Sequence, residues 1–142
     1  MTVKQLSVFI ENRQGRLGEV LSVLKESGAN ILSMSLADTT EYGLLRIMVT
    51  APEKAKDALN SKGFAAMVTD VLVIKIPHKA GSLQSILEII AENNINIEYM
   101  YGLSIEGEDA SIVVKANDLE RTMAVLRENN IETMTSEHIY AL

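Results

Sequence analysis

A stretch of twenty residues occurs twice in this chain. Shifted by 66 positions, Gly15 to Met34 falls on Gly81 to Met100 with seven identities: Gly15/Gly81, Leu17/Leu83, Leu21/Leu87, Glu26/Glu92, Asn30/Asn96, Ile31/Ile97 and Met34/Met100. Chance gives about one or two over such a window, so the repeat is real. Past the next hairpin the offset becomes 67, with Thr50 on Asn117, Glu53 on Glu120, Leu59 on Leu126 and Gly63 on Asn130. A one-residue insertion therefore sits in the second hairpin. The 142 residues divide into two domains, 1–70 and 71–142.

The differences between the copies follow physical rules. Gly28 becomes Asn94 and Gly63 becomes Asn130, the two residue types best able to adopt the left-handed conformation that ends a helix. In the first helix Leu17, Val20, Leu21 and Leu24 recur at i, i+3, i+4 and i+7, and Leu83, Ile86, Leu87 and Ile90 repeat the stripe, so one face of each helix is apolar. The second helix is expected to start with a capping box, Thr50-x-x-Glu53 or Asn117-x-x-Glu120, with Pro52 tolerated in its first turn. Its buried face is expected at Ala55, Ala58 and Leu59, and at Val125 and Leu126.

Short runs rich in branched residues separate the helices: Val3 to Ile10, Ile31 to Ala37, Leu44 to Thr50 and Ala65 to Thr69, then Leu72 to Ile76, Ile97 to Leu103, Ala110 to Lys115 and Glu132 to Tyr140. Leu6, Val8 and Ile10 alternate with more polar positions, as a sheet with one covered face requires. Turns at "DTTEYG" and "IEGED" join the middle strands. Each copy then reads as strand-helix-strand-strand-helix-strand. The predicted fold is α+β, two ferredoxin-like βαββαβ units, each an antiparallel sheet with both helices on one face. Phe64 to Ile76 contains no linker. It is either a tight turn at Thr69-Asp70 or one long strand shared by two sheets.

Composition narrows the function. Apolar residues are 47% and charged residues 23%, with two prolines, a balance for a soluble packed protein and not a disordered one. No apolar run approaches the roughly 18 residues of a membrane span, and "MTVKQLSVFIEN" has none of the parts of an export signal. A cytoplasmic location is expected. Without cysteine, disulfides, thiolate metal sites and cysteine nucleophiles are excluded. A formal charge of -6 with scattered Lys and Arg argues against nucleic acid and against an anionic membrane surface.

Catalysis finds little support. His78 and His138 are sixty residues apart with no second ligand at metal spacing, so neither a metal nor another cofactor is expected. No serine lies in a G-x-S-x-G elbow. The Gly15-x-x-Gly18 pair is not a dinucleotide fingerprint, and the second copy places Gln84 at its later position. Gly15 and Gly81 either simply make a turn or open a helix N-terminus whose free N–H groups can hold a small carboxylate or phosphate. Asn30 and Asn96 have two readings as well. Each either bonds its own turn or offers a zwitterionic amino acid both a donor and an acceptor.

The segment "ENRQGRL" followed by "GANI", in this strand and helix order, resembles the ACT domain, the regulatory module of amino-acid metabolism. It is similar to the regulatory domains of phosphoglycerate dehydrogenase and of aspartate kinases, and the whole chain looks like two ACT domains in tandem. The resemblance implies an amino acid held at an ACT–ACT interface by the loop after the first strand and the entry to the second. By position it points to Asn12, Arg13, Gln14, Gly15, Leu17, Asn30 and Ile31, and in the second copy to His78, Lys79, Gly81, Leu83, Asn96 and Ile97. His78 stands where the first copy has Asn12, and Pro77 where it has Glu11. Specificity would come from side chains such as Ser33, Met34, Tyr99 or Tyr101. With no kinase, dehydrogenase or hydroxylase segment in these residues, the expected protein is a stand-alone, non-enzymatic amino-acid sensor. It signals as a homodimer or through a metabolic enzyme. The alternative is a ligand-independent regulatory subunit that contacts such an enzyme through its sheet.

Overall fold

The repeat becomes a repeat of backbone elements. In order they are β1 (Val3–Glu11), α1 (Arg16–Ser27), β2 (Ile31–Asp38), β3 (Tyr42–Val49), α2 (Pro52–Ser61), β4 (Ala65–Ile76), α3 (Ser82–Glu92), β5 (Ile97–Leu103), β6 (Ala110–Ala116), α4 (Leu119–Glu128) and α5 (Ser136–Tyr140). This computed structural model describes residues 1–38, 41–103 and 110–142, the side chain of Asp38 excepted. The expected "IEGED" turn lies outside the described residues, and so does the centre of "DTTEYG". Both units are antiparallel and ferredoxin-like.

One compact unit comprises Lys4–Thr69 with Tyr140–Leu142, the other Asp70–Ile139 with Met1–Val3. The boundary falls inside β4, a continuous strand of 12 residues. The junction is therefore one strand that contributes to both units and not a tight turn. In the first unit β3 pairs with β1 (Leu6↔Ile47, Val8↔Leu45) and with β2 (Met34↔Ile47, Leu36↔Leu45). Strand alternation puts Leu6, Val8, Ile10, Leu45, Ile47 and Val49 on one face, where Val20, Val23 and Leu24 of α1 and Ala55 and Leu59 of α2 close the core. In the second unit β6 pairs with β4 (Leu72↔Val114, Ile74↔Ile112) and with β5. Ile86 and Ile90 of α3 and Val125 and Leu126 of α4 cover Leu72, Ile74, Ile76 and Val114. Each such large side chain removed from water contributes about 1.5–3 kcal/mol.

All four repeat helices turn off by the same device. Gly28, Gly63, Asn94 and Asn130 have φ of 78°, 88°, 59° and 56°. The next residue in each case donates its N–H five residues back: Ala29 to Leu24 O at 3.3 Å, Phe64 to Leu59 O at 3.1 Å, Ile95 to Ile90 O at 3.3 Å and Ile131 to Leu126 O at 2.9 Å. This is the Schellman pattern, in which a left-handed residue lets otherwise orphaned carbonyls be satisfied.

Three local expectations change. The capping boxes do not form, because Thr50 and Asn117 use their side chains on Asn30 and Asn96 instead. α2 starts from Ala51 with no side-chain cap, and α4 from Asp118, whose Oδ1 accepts the Arg121 N–H at 3.0 Å. The strand expected at Glu132 to Tyr140 shrinks to a bridge, Ile74↔Thr133, flanked by Lys75 N–H to Glu132 O at 2.9 Å and Met134 N–H to Val73 O at 2.8 Å. It ends there because Thr135 Oγ1 accepts the His138 N–H and starts α5, and such local capping competes with a strand ladder. Gln5 and Ser7, between the core positions of β1, are also buried, so that strand is covered on both faces. Gln5 Nε2 donates to Ser7 Oγ at 3.2 Å.

Replacing Asn94 or Asn130 with Ala keeps a β-carbon in the left-handed region but removes the short polar side chain that makes it tolerable. Each Ala variant is expected to lose about 1 kcal/mol in urea unfolding at unchanged m, whereas the Gly variants stay within a few tenths. Equal midpoints for Ala and Gly would show that these residues are not the stops.

Candidate functional site

The two strand-to-helix loops are the same structure built from different side chains. Gly15 (φ 87°, ψ -12°) and Gly81 (φ 85°, ψ -10°) are the left-handed N-cap residues of α1 and α3, and neither helix has a side-chain cap. The bonding repeats at each position. Arg13 N–H to Glu11 O matches Lys79 N–H to Pro77 O, both 2.8 Å, and Glu19 N–H to Gly15 O at 3.1 Å matches Ser85 N–H to Gly81 O at 3.0 Å. The Arg16 and Ser82 N–H groups turn back onto Arg13 O at 3.4 Å and Lys79 O at 3.3 Å, and with no side-chain cap the next N–H groups of each first turn are left for solvent or a ligand.

Asn30 and Asn96 are held by reciprocal bonds. Asn30 N–H donates to Thr50 Oγ1 at 3.1 Å while Thr50 N–H donates to Asn30 O at 3.1 Å. Asn96 N–H donates to Asn117 Oδ1 at 3.0 Å while Asn117 N–H donates to Asn96 O at 3.0 Å. Each asparagine is exposed. Its backbone is fixed by a neighbouring turn, and its amide is not used in that bonding.

Within one unit the loop and the asparagine are far apart. β1 and β2 both pair antiparallel with β3, Glu11 beside Tyr42 and Ile31 beside Val49. The loop and Asn30 thus lie at opposite ends of the sheet, separated by the 12 residues of α1, about 18 Å of helix. Of the residues expected at the site, Asn12 and Arg13 share a cleft of about 340 Å³ with Ile10, Glu11, Leu36 and Gly43. His78, Lys79 and Leu83 share one of about 400 Å³ with Pro77, Ala110 and Ile112. Gln14 and Gly15 are exposed, and Leu17 and Leu83 pack against the edges of their cores. Ile31 is 41% exposed, whereas Ile97 packs on the second core. Met34 faces the helices, and Tyr99 and Tyr101 lie on the opposite face, beside Lys115 and Val113.

Charge is modest at both loops. Arg13 Nε meets Glu11 Oε2 at 2.9 Å with both side chains exposed, a pair of little net stability. The bond from Lys56 to Glu53 at 2.9 Å raises the Lys56 ammonium above its ordinary range, but that pair belongs to α2. Among the described residues no three His, Cys, Asp or Glu gather where a metal could bind. No helix there is long and apolar enough to cross a membrane.

Attention to the identities in the repeat misses an asymmetry carried by its differences. Arg16 of the first copy stacks its guanidinium 4.4 Å from the centre of the Phe64 ring and bonds Glu19 at 2.6 Å. The repeat puts Ser82, Ile131 and Ser85 at those three positions. In the second unit a groove of about 530 Å³ is open there, between α3 and the segment Asn130 to Glu132, with Lys75 and Lys79 at its margin. The signal was present as three large-to-small substitutions. Their proximity was not, because Phe64 is 48 residues from Arg16.

Comparison with known proteins gives these loops a context. The family model for the ACT domain pair matches residues 1–142. The structure of protein BT0572 from Bacteroides thetaiotaomicron superposes with a TM-score of 0.94 at 34% identity, covering 100% of this chain and 98% of that one. The ligand-free regulatory subunit of aspartate kinase from Thermus thermophilus shares the fold, with a TM-score of 0.63 at 16% identity over 88% of this chain and 91% of that one. An aspartokinase of Bacillus sp. (strain MGA3) is 35% identical over 68 residues, which is 46% of this chain and only 16% of the kinase.

Thr50→Val and Asn117→Ala each remove the side-chain acceptor that holds an asparagine N–H. A loss of about 1 kcal/mol is expected per variant, with faster amide exchange at Asn30 or Asn96 respectively. Unchanged exchange at those two amides would mean that the reciprocal bonds do not hold them.

Proposed function

Since the chain belongs to the ACT domain pair family, whose model spans residues 1–142, we propose that it is a cytoplasmic, non-enzymatic amino-acid sensor. The observation that carries this reading is the division of labour within each unit. An uncapped loop turned by a left-handed glycine stands at one end, and an asparagine with a fixed backbone stands at the other. The loop suits a carboxylate. The asparagine amide, with one donor and one acceptor side, suits the rest of an amino-acid backbone. Because α1 separates them by its full length, a small molecule touching both takes its loop from one ACT unit and its Asn-Ile from another. The ligand accordingly sits at an ACT–ACT interface. Asn12, Arg13, Gln14 and Gly15 or His78, Lys79 and Gly81 form one wall, and Asn30 with Ile31 or Asn96 with Ile97 the other.

Thermal unfolding with each of the twenty amino acids tests this. A ligand at a hundredfold its Kd adds about 2.7 kcal/mol, and Asn30→Ala with Asn96→Ala removes that gain without changing the unliganded Tm appreciably. No shift from any amino acid at millimolar concentration would sink the proposal.

A second reading, association with another protein, has its own support. Edge strand β2 exposes Ile31, Met34 and Leu36 at 41%, 40% and 53%, apolar surface on a strand edge of the kind that pairing covers. A homodimer joined there is the simplest form, and a metabolic enzyme is the other candidate partner. Met34→Glu with Leu36→Glu is expected to lower the sedimentation mass from dimer to monomer. An unchanged mass would place the dimer contact elsewhere.

A further inference from the structure

The exposed apolar side chains of β2 form a row that is the same from either end. Ile31 pairs with Val49, Met34 with Ile47 and Leu36 with Leu45, and a bulge between Ile31 and Ser33 takes up the extra residue. Ile31 and Leu36 therefore stand equally far along the ladder from Met34, on the face that carries the helices. A second β2, added antiparallel about a two-fold axis at Met34, sets Ile31 of each copy opposite Leu36 of the other. Apolar surface then meets apolar surface along the whole row, an isologous contact that an edge strand can make with a second copy of itself.

β5 holds the same place in the second unit and lacks this row. Its bulge recurs between Ile97 and Tyr99, but Ile97 and Met100 pack against the second core. Gly102 stands where the first copy has Leu36, so the third apolar side chain is missing.

The two ends of the β2 row adjoin the two walls of the proposed amino-acid site. Ile31 follows Asn30, whose N–H is held by Thr50, and Leu36 lines the cleft of about 340 Å³ with Glu11, Asn12 and Arg13. Within one chain these walls are at opposite ends of the sheet. Pairing about Met34 carries Asn30 and Ile31 of one copy to the Leu36 cleft of the other.

We propose that pairing of β2 with β2 of a second copy completes the amino-acid site between first units only, at two equivalent places per dimer. Each place takes its loop from one copy and Asn30 with Ile31 from the other. The inference rests on the amino-acid reading and narrows it to one of the two repeats. The second unit keeps the same main-chain loop, but β5 has no matching row to bring it a second wall. Amino-acid binding and dimer formation are accordingly linked, each strengthening the other.

Native mass spectrometry of the full chain in an equimolar mixture of the twenty amino acids, about 0.1 mM each, tests this together with thermal unfolding in the same mixture. Dimers carrying two amino acids and bare single chains are expected. Asn30→Ala abolishes the thermal shift, whereas Asn96→Ala and His78→Ala keep it in full. Leu36→Gly, which installs the residue of the second copy, and Leu36→Lys at the same exposed position each give single chains that bind nothing. Asn12→Ala chains and Asn30→Ala chains bind nothing separately, but each mixed dimer regains one intact site and one amino acid. Bound amino acids on single chains, more than two per dimer, loss of the shift in Asn96→Ala, or no recovery in mixed dimers overturns this inference while leaving the amino-acid reading in place. No amino acid bound to any form overturns both.

Discussion

Each repeat helix must stop and send the chain back to the sheet within two residues, and everything else depends on how that is done. A residue in the left-handed region at Gly28, Gly63, Asn94 or Asn130 reverses the backbone. It delivers the next residue, Ala29, Phe64, Ile95 or Ile131, onto a core. One residue further on, the first stop of each unit exposes Asn30 or Asn96 in a position fixed by Thr50 or Asn117. The second stop of each unit sets down Phe64 or Ile131, and that choice decides whether the neighbouring groove is closed or open. A constraint on backbone handedness thus reaches both the candidate site and this groove through a few bonds.

The two units share a backbone but present different side chains on it. Loop hydrogen bonds and glycine dihedrals agree closely between copies, while the charges around them do not: Glu11, Asn12 and Arg13 give way to Pro77, His78 and Lys79. On the proposed reading, main-chain recognition of a carboxylate is common to both loops and their selectivity differs. In the first unit Arg16 also ties α1 to Phe64 through a cation–π contact, worth about 0.5–2 kcal/mol. The second unit lacks that contact and keeps the space.

On the proposed reading, this member of the ACT domain pair family acts by changing what it touches. An ACT pair gives it a physical means. The proposed ligand would stabilise the arrangement in which both of its walls are present, and its effect would be limited by its preference for that arrangement. The exposed apolar row on β2 supplies a surface through which such a preference can be passed on.

The βαββαβ order, the apolar helix stripes and the four helix stops were legible in the sequence, because they depend on residues close together along the chain. Gly28 and Asn94 are equivalent only through shared dihedral freedom, a local property that the repeat exposes directly. The capping role expected of Thr50 and Asn117 failed because their side chains bond Asn30 and Asn96, 20 and 21 residues away. The last strand failed because Thr135 captures an N–H three residues on and begins a helix. The sequence by itself determined the repeat and the fold, since these follow from periodicity and from the left-handed tolerance of Gly and Asn, whereas the residues of the candidate amino-acid site were pointed to by the resemblance of ENRQGRL and GANI to the ACT domain. Tertiary structure alone decided that Ala65–Ile76 runs on as the single strand β4 and that Arg16 stacks on Phe64 while the equivalent Ser82 borders an open groove. Those outcomes depend on contacts between residues distant in sequence, which local patterns do not encode.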